Sequence, residues 1–174
     1  MAAAFTHVVK SNGGELVSQI GRTVTRERFA APLRRRDGQV RWGFGLFPLP
    51  PDRTYDDMLA SGEEFTEYLQ AGGSADALTI ELRKAGGAEV GCEWVRYVVG
   101  HPHIESLPLD TEITLGTSTL YVNAAEVFDA EEAADIFLSY HQSGAIPETY
   151  SLRPVEGYRR DGSRVDLGDN RRVQ

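Results

Sequence analysis

Hydrophobic and polar positions change period several times along this chain, and each change marks an element. Between Gln39 and Leu46 the residues alternate, with Val40, Trp42, Phe44 and Leu46 on one side and Gln39, Arg41, Gly43 and Gly45 on the other. A period of two predicts a half-buried strand, here with glycines where side chains would otherwise stand. Leu78, Ile80 and Leu82 alternate with Thr79, Glu81 and Arg83, and the turn at Gly86-Gly87 leads into a return strand from Val90 to Val99. That pairing predicts a hairpin. Glu112–Leu115, Thr119–Asn123 and Tyr150–Val155 read as further strands, and a hairpin over Tyr158–Leu167 turns at Asp161-Gly162. His101 to Asp110 holds Pro102 and Pro108 and reads as a loop.

Three stretches carry the helical period instead. Asn12-Gly-Gly-Glu15 has the spacing of a helix cap, with Leu16, Val17 and Ile20 as a buried stripe running on to Arg28. Ser61-Gly-Glu-Glu64 has capping-box form and predicts a second helix, with Phe65, Tyr68 and Leu69 inward and a stop at Ala71-Gly72-Gly73. Asp129 caps the third, whose stripe is Ala133, Ile136, Phe137 and Tyr140 and whose stop is Gly144. No repeat or linker interrupts the chain, and the polar tail from Gly168 is expected to fray. The expected fold is a single α+β domain over residues 1–174, a mostly antiparallel sheet with about three helices packed on it. Its expected core is Trp42, Phe44, Leu46, Leu78, Ile80, Leu82, Trp94, Ile136 and Phe137.

Size and composition agree with that reading. A chain of 174 residues, 41% hydrophobic and 25% charged, is long enough for one real core and has the balance of a soluble globular protein. The start, Met-Ala-Ala-Ala-Phe-Thr-His, lacks the basic and apolar regions of a signal peptide, so a cytoplasmic protein is expected, with no membrane partner. Cys92 is alone, which excludes an intramolecular disulfide, and its place in the strand pattern makes it a packed thiol.

Charge changes the picture more, because it is segregated. From Asp52 to Glu148 there are nineteen Asp/Glu against four Lys/Arg, while residues 1–51 and 149–174 are mildly basic. A negative middle attracts basic partners and repels nucleic acid. Two acidic groups lead as partner-binding surfaces: Glu126, Asp129, Glu131, Glu132 and Asp135 at the start of the third helix, and Asp56, Asp57, Glu63, Glu64 and Glu67 further upstream. Some of the first group complement the helix dipole, but Glu131 and Asp135, four apart, repel each other and gain nothing locally. Arg34-Arg35-Arg36 reads as a solvated turn, not a nucleic-acid site, in a chain of net charge −8.

Catalytic chemistry is thinly represented. His101 and His103, with Glu105 and Asp110 nearby, are the weak metal candidates; zinc needs three or four placed ligands, so neither a metal nor a cofactor is expected. Gly116-Thr-Ser118 lacks the final glycine of a nucleophile elbow, and no Gly-rich phosphate loop precedes a helix. No catalytic residue is assigned.

The segment from Glu126 to Pro147 resembles the C-terminal portion of actinobacterial immunity proteins of polymorphic-toxin systems. Phe128, Ala133, Ala134 and Phe137 match the small and aromatic helix positions, and Ser143-Gly144 with Pro147 match the helix exit. The resemblance implies a small cytoplasmic α+β protein that binds one secreted toxin and blocks its active site. An acidic surface fits a toxin with a basic cleft. Two other classes are weighed beside it: a small soluble enzyme with a site near His101 and His103, and a phage-type assembly component with self-complementary surfaces.

Overall fold

One long antiparallel sheet organises the chain. The computed structural model describes residues 5–104, 106–168 and the backbone of 171–173. In chain order the elements are β1 (His7–Ser11), β2 (Leu16–Ile20), α1 (Glu27–Arg34), β3 (Gly43–Pro48), α2 (Tyr55–Ser61), β4 (Tyr68–Ser74) and β5 (Ala77–Ala85). They continue with β6 (Trp94–Gly100), β7 (Thr111–Leu115), β8 (Ser118–Val122), α3 (Ala130–Ser143), β9 (Ser151–Tyr158), β10 (Arg164–Asp166) and β11 (Arg171–Val173). Eight strands form the main sheet in the order β10-β9-β6-β5-β4-β3-β1-β2, and β11-β8-β7 form a small second sheet. The fold is α+β, as its pattern predicts.

The pleat of the main sheet divides two cores. Phe44, Leu46, Leu69, Ala71, Leu78, Ile80, Leu82 and Val99 point to one face and pack under α1 and α3. Val98 and Val155 point to the other, where Ile113, Leu115, Leu120 and Val122 of the small sheet cover part of it. The result is three layers, helix on sheet on sheet, with period-two alternation deciding which layer each side chain meets. Trp42 and Trp94 depart from the expected core: both are only half-buried, and Trp42 packs against the second core while Phe44 and Leu46 face the helices. Trp42 lies one residue before β3 begins, where the strand's alternation does not bind it.

Two predicted helices are absent, for identifiable reasons. Asn12, Gly13 and Gly14 adopt positive φ values of 48°, 70° and 119°, which make a tight hairpin between β1 and β2. Asn12 Oδ1 accepts from the Trp42 and Gly43 amides, and its Nδ2 donates to Val40 O at 2.7 Å and to Glu15 at 3.0 Å. The three-residue spacing that imitates a helix cap thus serves a turn. Ser61 to Glu64 lies at a helix end instead of a start: α2 opens at Thr54, whose capping box is closed by Asp57, and stops at Gly62. Tyr68 to Ser74 is then a strand, its Leu69, Ala71 and Gly73 buried in alternation.

Smaller differences follow the same logic. A 3-10 turn at Ala88–Val90 delays β6 to Trp94, so Cys92 is buried in the connection and not in the strand. The tail expected to fray carries β11, paired with β8. The third helix matches expectation: Asp129 accepts from the Glu132 amide at 2.8 Å and Gly144 closes the helix.

Phe137 is fully buried, with the Phe44 and Phe29 rings at 5.3 and 6.0 Å. Phe137→Ala should cost about 3–5 kcal/mol in urea unfolding, and Trp94→Ala clearly less, since Trp94 leaves part of its surface in water. Equal losses would place Trp94 in the core. A second expectation concerns acid. Burial, helped by the charge His141 would carry 4.5 Å away, lowers the His7 pKa to about 4. The unfolded chain then binds the proton first, so stability should fall as pH drops from the ordinary histidine range towards 4. His7→Gln should flatten that decline, measured as unfolding midpoint against pH.

Candidate functional site

The acidic start of α3 is not a free surface. Arg26, just before α1, donates to the Glu131 carboxylate at 3.0 Å, to its carbonyl at 2.7 Å, and to Asp135. Arg34, in the last turn of α1, donates to Glu131 and, at 2.7 Å, to Glu27. The two helices lie against each other, so guanidinium groups at both ends of α1 meet the carboxylates of α3. Hydrogen bonds from Arg34 first, then Arg26, hold the Glu131 pKa down at about 2. The repulsion between Glu131 and Asp135 is therefore relieved inside the chain. Asp129 is exposed but committed to the helix cap.

Glu126 leaves the candidate surface altogether. It is 1% exposed, closes a capping box with Asn123, and receives Arg153 Nε at 2.6 Å. A carboxylate at that depth holds its segment to β9 and cannot meet an outside partner. Glu132 is engaged as well. Both its oxygens lie 2.9 Å from His101 Nε2, and the Tyr150 hydroxyl donates to one of them at 2.9 Å. The other His101 nitrogen, Nδ1, lies 2.8 Å from the Ala125 carbonyl, and the ring stacks on Phe128 at 4.5 Å.

That geometry sets what the His101 ring donates and accepts. Both ring nitrogens face acceptors, so the imidazole is fully satisfied only with two protons, as a cation. Burial opposes the charge, but the Glu132 carboxylate and the Ala125 carbonyl outweigh it and raise the pKa above the ordinary histidine value. When doubly protonated, the ring donates to both sides and ties the end of β6 to α3 as a clamp. His103 is exposed, its Nδ1 2.9 Å from the His101 carbonyl. Glu105 lies outside the described residues. Among the described residues no group of three or more His, Cys, Asp or Glu could hold a metal ion.

The upstream acidic group fares differently. Asp57 is spent on the α2 cap, with Thr54 N at 2.8 Å. Glu63 receives Arg53 at 3.2 Å, and Glu67 is half-buried, close enough to Tyr140 to add to the rise that burial causes in its pKa. Asp52, Asp56 and Glu64 are exposed, and no guanidinium lies within ion-pair distance of them among the described residues. Leu59, 62% exposed, stands between them on α2. This is the one part of the expected surface where carboxylates keep their field.

The counter-charges Arg26, Arg34 and Arg153 were missed in the sequence because nothing local signals them. Arg36 also departs from expectation: it is 8% exposed and donates to the Pro32 and Gly43 carbonyls at 3.0 and 2.6 Å, so the arginine run is not simply a solvated turn. No described helix is long and apolar enough to cross a membrane.

The clamp is testable by titration. The His101 ring should titrate above about 6.5 by NMR, and Glu132→Gln should bring it down towards that value. Because the folded pKa is the raised one, the clamp's contribution is full below the unfolded pKa and is lost as pH rises through the folded pKa. A His101 pKa unchanged by Glu132→Gln would show that the pair does not carry the charge.

Compared with known proteins, the chain matches no family model, no curated protein and no solved structure.

Proposed function

We propose that this chain is an immunity-type protein, a cytoplasmic binding protein that blocks a cognate toxin with a basic active-site cleft. The observation that carries the reading is the α2 surface. Between Asp52 and Glu64 the chain has five carboxylates and one guanidinium, and Asp52, Asp56 and Glu64 keep their charge exposed beside Leu59. An exposed apolar side chain in a segment with unpaired carboxylates suits a cationic protein surface, since charge steers the encounter and the buried contact slows dissociation. The resemblance around α3 supports the same reading, with α3 as scaffold and α2 as the contact. The enzyme alternative has less support, because both His101 ring nitrogens are already engaged by acceptors of the chain itself.

The test uses the protein encoded beside this chain, purified and mixed with it in stopped flow. Association should slow by about tenfold between low and physiological salt, where the screening length is about 8 Å. The triple variant Asp52→Asn, Asp56→Asn and Glu64→Gln should associate slowly at every salt concentration while keeping its melting temperature. Glu131→Gln should leave association unchanged. Fast, salt-independent association of the triple variant would remove α2 from the interface.

A further inference from the structure

The face of the main sheet turned away from the helices is only partly covered, and a cavity of about 310 Å³ opens where the cover ends. Its floor is two cross-strand rows. One runs Lys10, Gly45, Gln70, Glu81 over β1, β3, β4 and β5; the next runs Gly43, Gly72, Thr79. Gly43, Gly45 and Gly72 leave the floor bare at their own positions, between the side chains of Lys10, Gln70, Glu81 and Thr79. A Cβ on Gly72 would stand 2.5 Å from Leu115 Cδ2, and one on Gly45 would stand 2.7 Å from the Phe47 ring. The glycines therefore let Leu115 and Phe47 lean over the floor and roof it, and Trp42 adds a third wall. Glycine inside a strand marks this sort of close approach.

The polar groups around this space are unequally satisfied. Glu81, 4% exposed, is neutralised: Arg96 Nη1 and Gln70 Nε2 each donate to it at 2.7 Å. Thr79, 3% exposed, has no hydrogen-bond partner for its hydroxyl among the described residues. Buried hydroxyls without a partner are uncommon, because the group loses water and gains nothing. Lys10, at the opposite end, is ringed by Phe47, Phe65 and Tyr55 with centroids at 5.0, 5.0 and 5.8 Å. No carboxylate of a described residue lies within ion-pair distance of its ammonium, and burial lowers its pKa. The cavity thus has aromatic and aliphatic walls, one uncompensated positive charge and one idle hydroxyl.

The geometry points to a binding site for a small aromatic monoanion. Its ring lies between Trp42, Phe47 and Leu115, its anionic group meets Lys10, and Thr79 supplies a hydrogen bond on the inner side. The volume falls at the small end of ligand pockets, which run roughly 300–1,000 Å³. This site is separate from the α2 contact: it is read by a small molecule and needs no protein partner, so either assignment can fail alone.

The probe is 2-naphthoate, with 2-naphthamide as its uncharged isostere, added to the full chain and followed by amide shifts of Gly43, Gly45 and Gly72. Naphthoate should bind saturably with Kd of about 1 mM or tighter, and naphthamide about tenfold more weakly. Lys10→Met should erase that preference. Thr79→Val keeps the branched shape and removes the idle hydroxyl, so it should raise the melting temperature while weakening naphthoate severalfold. Absence of saturable shifts with naphthoate, equal binding of the two probes, or a lowered melting temperature in Thr79→Val would each overturn the site.

Discussion

The alternation along β5 sends Leu78, Ile80 and Leu82 under the helices and Thr79, Glu81 and Arg83 to the opposite face, in the middle of an eight-stranded sheet. A carboxylate placed centrally must be paired, and Arg96 on the neighbouring strand supplies the partner, with both side chains at most 10% exposed. Such a pair is a poor source of net stability, because desolvating two charges cancels most of their attraction. Removing one partner is another matter, costing about 3–5 kcal/mol by stranding the other charge. The pair fixes which face of the sheet meets the helices: a register slip of one residue would turn Glu81 and Arg96 into the helix core. Both cores and the cavity inherit that choice.

Charge segregation along the sequence is largely resolved in three dimensions. Arg26 and Arg34 come from the basic first segment and close on Glu131 and Asp135 of the acidic middle. Arg153 and Arg160, from the basic end, close on Glu126 and Glu93. These contacts link parts of the chain 27 to 109 residues apart. The exposed ones gain little once salt screens them, whereas Glu126 and Arg153 sit where screening is weak. Ends and middle are thus sewn together by opposite charge, while Asp52, Asp56 and Glu64 around α2 stay exposed and outside ion-pair distance of any described guanidinium.

Elements with redundant signals were legible and those with one ambiguous signal were not. α3 has a cap, a stripe and a stop that agree, and the β5 hairpin has two alternating strands around a glycine turn. Asn12 to Glu15 satisfied a helix cap by spacing alone, yet two consecutive glycines at positive φ suit a hairpin better than a first helical turn. Ser61 to Glu64 failed the same way, because Gly62 closes one helix as readily as it could follow the start of another. For the site, acidity was visible but neutralisation was not, since ion pairs such as Arg26 with Asp135 depend on packing that no local pattern encodes. The glycines at 43 and 45 were visible as gaps in a strand; what fills such gaps depends on the opposite layer.

Lys10 lies between the two proposed surfaces. Its cation lies against Tyr55, which belongs to α2, and against Phe65, which follows that helix, while its own strand forms the cavity floor. Phe47 completes the arrangement by contacting Phe65 at 5.1 Å and roofing the cavity from the other side. An ammonium held by ring faces is stabilised less than one held by a carboxylate, so it stays available to an incoming anion. Among the described residues no carboxylate lies within ion-pair distance of the Lys10 ammonium, and the rings of Phe47, Tyr55 and Phe65 face it instead.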